Sequence, residues 1–412
     1  MRRVGKTTFE ARSGPVAPSE GMAWLISTLW GPEAVVDAGG KAAAGERFAA
    51  LPSPAAARLL VPLSPRDVAT SALLRYRRLR SPGVNLGRWA LAAAIRLGPA
   101  EGRFRRRRVV AIRVPDASET PVARVLRALF DRDDLRYAVG VPAVGPSRKP
   151  VLHVFDPTGE PVAYVKIGWN EAMRRWVRNE AAALRRLETT TRGLVRAPRL
   201  LGVASVGDLE ATAVEPLPGD VRRHRPTRPP PAIAYLRELA ALGVPGRGDW
   251  AGYLTDLRAR ALAALPARVT DAALERLDRA AAGVEAPLGF AHGDWVPWNM
   301  AWRRRELHLF DWEHARDEVP VGMDLLHYRF MVAFNVERRD VAAAVAALDR
   351  SRQDLDGLGG DGAFAAVREA YLLEILLRHV EAVAQGAAPN RRFHQPMLDL
   401  VRGETRGGDG PK

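Results

Sequence analysis

Three oxygen-bearing side chains stand close together near residue 300. They fall within Ala291-His292-Gly293-Asp294-Trp295-Val296-Pro297-Trp298-Asn299-Met300 and Glu306-Leu307-His308-Leu309-Phe310-Asp311-Trp312-Glu313. An aspartate, an asparagine five positions later and a second aspartate closing a short apolar run suit phosphoryl transfer from a magnesium-bound nucleotide. Asp294 would accept or orient the proton of an attacking hydroxyl. Asn299 and Asp311 would supply the oxygen ligands that a hard ion bridging phosphates requires. Leu307, Leu309 and Phe310 place Asp311 at the end of a buried strand, a rigid mount for a ligand. Either aspartate alone is ordinary for a polar loop; the combined spacing is what points to chemistry.

A nucleotide's phosphates also call for a cation, and the cation for an anchor. The chain holds about five lysines, and Lys166 shares a strand face with Val162 and Tyr164 within Pro161 to Ile167. A helix expected from Glu171 to Glu188 sets Met173, Val177, Glu180, Leu184 and Leu187 at steps of three and four, so Glu180 falls in its apolar stripe. Lys166 paired with Glu180 satisfies both groups, although a purely structural buried pair would look the same. The stretch from Gly140 to Pro150 lacks closely spaced glycines. There Gly140, Gly145 and the Ser147 hydroxyl would either approach phosphate or form a plain turn.

The elements that must position these groups follow from periodicity. Residues 1–21 are polar, with Gly14, Pro15 and Pro18, and are expected to be disordered. Residues 22–130 form a basic, mostly helical region of unknown role, with helices opening at Ser64-Pro65, capped by Asn85, and spanning Pro121 to Phe130. Alternation at Val151, His153 and Phe155, a turn at Asp156-Pro157-Thr158-Gly159 and renewed alternation predict a hairpin. Strands are expected at 198–203 and 209–215, then a sharp break at Pro216-Leu217-Pro218-Gly219. The remainder is mainly helical, at 232–242, 250–265, 271–282 and 363–385, and the tail 403–412 is expected to be disordered.

Composition narrows the chemistry. The chain has 412 residues, 47% hydrophobic and 26% charged, in the range of folded globular proteins, and room for two units. It has no cysteine, which excludes disulfides, thiolate metal sites and a cysteine nucleophile, and makes the cytoplasm the expected address. No apolar run approaches bilayer length. Gly5-Lys6-Thr7-Thr8 lacks the upstream glycine and strand of a phosphate-binding loop. The net charge of +15 is concentrated in residues 1–113, with about 20 basic against about 7 acidic side chains. Arg75, Arg77, Arg78, Arg80, Arg103 and Arg105 to Arg108 read there as a solvated face or as a patch for an acidic surface.

His292-Gly293-Asp294 with Asn299, Asp311-Trp312-Glu313, and Met323-Asp324-Leu325 together resemble the aminoglycoside phosphotransferases and their choline kinase, homoserine kinase and fructosamine kinase relatives. The resemblance covers roughly residues 135 to 400. It implies an α+β, two-lobed, protein-kinase-like fold, with a small antiparallel-sheet N-lobe at 131–216 and a mainly helical, substrate-binding C-lobe at 217–402. It also implies ATP or GTP as donor, Mg2+ as metal, and Ala213-Val214-Glu215-Pro216-Leu217 as a hinge whose Glu215 and Leu217 backbone would meet the nucleotide base. His292 and Glu313 would support the site, and Asp324 would brace the catalytic loop by hydrogen bonds. His308 alternates outward on its strand, His314 and His327 have no partner at metal-ligand spacing, and the neighbouring tryptophans are read as core.

Three functional readings stay open at this level. The first is a small-molecule kinase acting on a hydroxyl or amine of a sugar, amino alcohol or aminoglycoside-like metabolite, with Glu313, Asp317 and Glu318 nearby for a cationic acceptor. The second is a non-catalytic nucleotide-binding scaffold. The third docks the kinase to nucleic acid, membrane or an acidic polymer through the basic N-terminal region, without a recognised motif. Oligomeric state leaves no trace in the sequence.

Overall fold

The computed structural model describes residues 20–38, 45–76, 82–98, 108–141, 149–188, 193–243, 249–359, 362–385 and 389–403. The chain divides into two compact units, one comprising 1–181 and 198–219 and the other 182–197 and 220–412.

The first unit is built on one sheet. Its strands are β1 (Val35–Ala38), β2 (Glu46–Leu51), β3 (Leu59–Pro62), β4 (Val109–Arg113), β5 (Arg136–Gly140), β6 (Val151–Phe155), β7 (Pro161–Gly168), β9 (Leu200–Val206) and β10 (Leu209–Val214). They lie in the order β1-β4-β2-β3-β5-β6-β7-β10-β9, nine strands with every neighbour antiparallel. Helices α1 (Glu20–Trp30), α2 (Arg66–Tyr76), α3 (Pro82–Arg96) and α4 (Pro121–Phe130) accompany it. Helix α5 (Glu171–Glu188) follows β7.

Side-chain alternation sends Phe48, Ala50 and Leu60 into a core shared with Leu25, Val125 and Leu126, from α1 and α4. The opposite face buries Ala49, Leu59 and Val61 against Val68, Leu73, Ala92 and Ile95, from α2 and α3. Two covered faces therefore explain why all four residues of β3 are buried. Helix α4 is capped by Thr120, whose hydroxyl accepts from the Ala123 amide at 3.3 Å, with Pro121 at its first position.

Residues 22–130 thus contain the expected helices and four strands that periodicity did not indicate. These strands are not a region apart, because β3 pairs with β5 and extends the same sheet. Helix α3 begins at Pro82, so Asn85 lies inside it and does not cap it. Of the ends expected to be disordered, 1–21 and 403–412, residues 20 and 21 instead open α1 and Gly403 follows α13, while 1–19 and 404–412 lie outside the described residues.

The second unit is mainly helical. Strands β11 (Arg222–Arg223), β13 (Met300–Arg303), β14 (Glu306–Leu309) and β8 (Val195–Arg196) form one small sheet in that order. Strands β12 (Leu288–Ala291) and β15 (Arg316–Pro320) form another. Helices α6 (Ile233–Ala240), α7 (Trp250–Ala264), α8 (Ala267–Ala281), α9 (Met323–Met331), α10 (Val341–Ala346), α11 (Arg352–Gly359), α12 (Ala363–Ala384) and α13 (His394–Arg402) complete it. A five-residue π-helical segment, Val332–Val336, extends α9. The core gathers Leu257, Leu277, Leu326, Phe330, Leu373 and Leu376. Among the described residues no helix is long and apolar enough to cross a membrane.

Candidate functional site

The loop from His292 to Trp312 is suspended between β12 and β15, with the β13–β14 hairpin inside it. Its entry is fixed by one carboxylate. Buried Asp324, in the first turn of α9, accepts the His292 amide at 2.8 Å on Oδ2 and the Gly293 amide at 2.9 Å on Oδ1. Gly293 has φ +77, and a Cβ there would meet the His314 carbonyl oxygen at 2.1 Å, so only glycine fits. Arg378 donates to the Gly293 carbonyl at 2.7 Å.

The buried His292 ring then holds the loop from inside. Its Nε2 lies 3.2 Å from the Phe310 carbonyl and its Nδ1 accepts the Asp294 amide at 3.2 Å. That pattern requires a neutral ring with the proton on Nε2, and burial pulls its pKa below the usual histidine value.

Asp294 and Asn299 are in direct contact, and Asp311 lies near enough for its charge to act on Asp294. Asn299 sits in a single 3₁₀ turn, Pro297–Asn299, between the loop and β13. Its Nδ2 donates to Asp294 Oδ2 at 2.8 Å and to the Asp294 carbonyl at 3.1 Å. The Asn299 carbonyl accepts the Phe310 amide at 3.2 Å, which fastens the residue before Asp311 to the same turn. Asp311 adopts φ +74, a left-handed conformation costly for a side-chain-bearing residue and held here by the pairing around it.

Two oxygens of this set suit a hard cation. Because Asn299 turns its amide nitrogen toward Asp294, its Oδ1 faces away and accepts no hydrogen bond among the described residues. With the Asp311 carboxylate close by in the chain, the donors are oxygen only, which fits magnesium and not a soft metal.

Burial pushes the Asp294 pKa up, but the hydrogen bond from His327 is the largest of the effects that outweigh it and hold the group at about 2. His327 Nε2 lies 3.1 Å from Asp294 Oδ1. Sequence spacing gave His327 no partner, yet it reaches the proposed base; nothing in a linear pattern marks a contact across 33 positions. His308 is likewise buried and not outward, since β14 is covered on both faces. Trp295 and Trp312 are fully buried core residues.

In the first unit, Lys166 Nζ lies 2.5 Å from Glu180 Oε1, with Glu180 fully buried. The pair joins β7 to α5, where the Thr212 hydroxyl of β10 also donates to the Val177 carbonyl at 2.9 Å. Gly140 closes β5, while Gly145 and Ser147 lie outside the described residues. Glu215 follows β10 and pairs with Arg199 at 3.0 Å, and its amide donates to the Arg199 carbonyl. Leu217 is half-buried in the irregular stretch after it.

Of the acidic residues near Asp311, Glu313 is half-buried with Oε1 3.7 Å from His314 Nε2. Asp317 is engaged by Arg186. A cavity of about 50 Å³ beside the loop is lined by Gly293, His314, His327, Tyr371, Glu374 and Arg378. Its buried Glu374 is already neutralised by Arg260 at 2.8 Å and Arg316 at 3.2 Å. A larger cavity of about 690 Å³ is lined wholly by first-unit residues, including Glu46, Arg47, Arg127, Arg136 and Tyr137, and by none of the residues above.

Residues 171–325 match the family model described as APH, the phosphotransferase enzyme family. The match takes in Glu180, Asp294, Asn299, Asp311 and Asp324, and begins after Lys166. No curated protein matches the chain. Among solved structures, a thermostable mutant of aminoglycoside phosphotransferase APH(4)-Ia in ternary complex with ADP and hygromycin B is 12% identical, with 69% of this chain and 98% of that one covered and a TM-score of 0.44. The amicoumacin kinase hAmiN, in complex with AMP-PNP, Ca2+ and Ami, is 13% identical over 66% of this chain and 87% of that one, at a TM-score of 0.40. A choline/ethanolamine kinase family protein from Mesorhizobium loti is 18% identical over 62% and 90%, at a TM-score of 0.35.

Proposed function

We propose that this chain, which carries a phosphotransferase family region over residues 171–325, is a small-molecule kinase that transfers the terminal phosphate of ATP or GTP to a hydroxyl or amine. The observation that carries the reading is the Asp294–Asn299 contact, in which one amide orients the carboxylate and leaves its own oxygen for a cation. In this reading Asp294 is the base. With its pKa held at about 2, it is a carboxylate throughout the neutral range and can orient and accept the hydroxyl proton as the new P–O bond forms.

Asn299 and Asp311 would hold the magnesium, which supplies charge neutralisation for the nucleotide's phosphates. Lys166, aimed by Glu180, would bind those phosphates, and the backbone at Glu215 and Leu217 would meet the base. Gly140, Gly145 and Ser147 are assigned to the phosphate loop on their sequence position alone. The acceptor is a small metabolite such as a sugar, an amino alcohol or an aminoglycoside-like compound. Of the three nearby acids, Asp317 is engaged by Arg186 and Glu313 lies 3.7 Å from His314, so Glu318 is the acid we assign to a cationic group on that acceptor.

The test is nucleotide consumption by the purified chain against a panel of small alcohols and amines. Asp294→Ala is expected to abolish acceptor-dependent turnover while leaving magnesium-nucleotide affinity largely intact. Turnover by the variant equal to that of the parent would reject the assignment.

A further inference from the structure

Asp294 is gripped on both oxygens, and the two grips come from different elements. Asn299, in the 3₁₀ turn, takes Oδ2 at 2.8 Å, and His327, on α9, takes Oδ1 at 3.1 Å. His327 is in turn held from behind, with its Nδ1 3.3 Å from the hydroxyl of Tyr371 on α12. The two residues behind the half-buried Asp294 are shielded: His327 is 6% and Tyr371 3% exposed, and their rings meet edge to face at 6.1 Å.

We propose that His327 is the positioning residue that fixes the Asp294 carboxylate for proton abstraction, and that Tyr371 sets the tautomer that lets it do so. The proposal rests on the kinase reading above. A carboxylate accepts and does not donate, so His327 must present Nε2–H to Asp294, and in the neutral ring its Nδ1 is a lone pair that needs a donor. Tyr371 supplies that donor, because burial raises its pKa well above the usual tyrosine value and keeps the hydroxyl protonated. The opposite tautomer would place a ring lone pair against the carboxylate and strand the tyrosine proton.

The same helix carries both controls on the loop. Asp324 and His327 lie three positions apart on α9, on one face, so the helix fixes the loop backbone at His292 and Gly293 and its working side chain at Asp294. A carboxylate held at one oxygen only can rotate about its last bond, and misplacement of a reacting group by about 1 Å costs up to about a hundredfold in rate. His327 lies on the side of Asp294 away from Asn299's amide, and it would touch Asp294 and not the nucleotide. Its effect should fall on kcat and spare nucleotide binding.

His327→Phe is expected to lower kcat on the order of ten- to a hundredfold with the nucleotide KM within about twofold. His327→Gln, whose amide N–H can still reach Oδ1, is expected to recover most of that loss, and Tyr371→Phe to lower kcat by only a few-fold. Imidazole 15N spectra of the unaltered protein give a readout independent of turnover and of any folding defect in the variants. They should show His327 as the Nε2–H tautomer, with a signal that moves in Asp294→Ala. Parent-like kcat in His327→Phe, a loss expressed in nucleotide KM alone, or an Nδ1–H tautomer in the unaltered protein would each overturn the clamp. Absence of acceptor-dependent turnover across the whole panel, with the Nε2–H tautomer present, would instead overturn the kinase reading and the clamp's catalytic role with it.

Discussion

The loop at 292–312 and the half-sheet formed by β1 to β4 belong to different units, and different forces hold them. The loop is held by directional bonds to named atoms: Asp324 to two amides, His292 to a carbonyl and an amide, Asn299 to a carboxylate. The half-sheet is held by apolar area on two faces, with Phe48, Leu60 and Ile112 on one side and Leu59, Val61 and Val109 on the other. Hydrogen bonds demand particular side chains at particular places, whereas burial asks for volume and hydrophobicity. Damage to the first region should therefore appear as lost activity, and damage to the second as lost stability.

The sharpest break in that comparison is Asp324→Ala. The buried His292 amide and the half-buried Gly293 amide lose their acceptor at once, the first costing about 1–3 kcal/mol and the second less, and the turn that aims Asp294 is released. Turnover is expected to fall by more than about a hundredfold even in the folded fraction. A folded Asp324→Ala protein with parental kcat would show that the loop keeps its shape without its brace.

Next in size is Leu60→Ala. Leu60 is fully buried between Ala50 and Val139 on neighbouring strands, and truncation removes area and leaves a cavity. The expected cost is about 2–5 kcal/mol in denaturant unfolding, with kcat per folded molecule within about twofold of the parent. A strong kcat effect at unchanged stability would reverse the assignment of roles to the two regions.

The same contrast explains what could be read from residues alone. Asp294, Asn299, Asp311, Lys166 and Glu180 stood out because few residue types could do the jobs proposed for them and because their local spacing is fixed by one turn, one strand or one helix. The helix at 171–188 was legible for a related reason, since it has one buried and one wetter face and a period shows; the hairpin of β6 and β7 was legible from its Asp156-Pro157-Thr158-Gly159 turn, because β6 itself is buried on both faces. Strands β3 and β4 escaped notice because both faces are covered. Leu59 to Pro62 are buried without alternation, and Val109 to Ile112 likewise, and a short apolar run has no period to find. His327 escaped for a third reason. Its partner is distant in sequence, and a lone histidine in an apolar helix looks the same whether it packs or positions.

The smallest of the expected effects is confined to acid and concerns His153 on β6. Its ring is buried edge-on against Tyr164 at 4.7 Å, and burial first, then the charge of Arg88, lowers its pKa to about 3. The unfolded chain would titrate it near the ordinary value of about 6.5. Between those values the unfolded state binds the proton and the folded state does not, so stability falls as pH drops through 6.5 toward 3 and is unaffected above that window. At pH 4.5 the single group should cost roughly 2–3 kcal/mol relative to pH 7. Other buried histidines contribute acid sensitivity of the same sign, so the quantity to measure is the difference between parent and His153→Phe in urea unfolding at both pH values. Parallel loss in the two proteins would mean that His153 is protonated in the folded sheet, and that the nine-stranded sheet to which the half-sheet belongs tolerates a charge where apolar packing should exclude one.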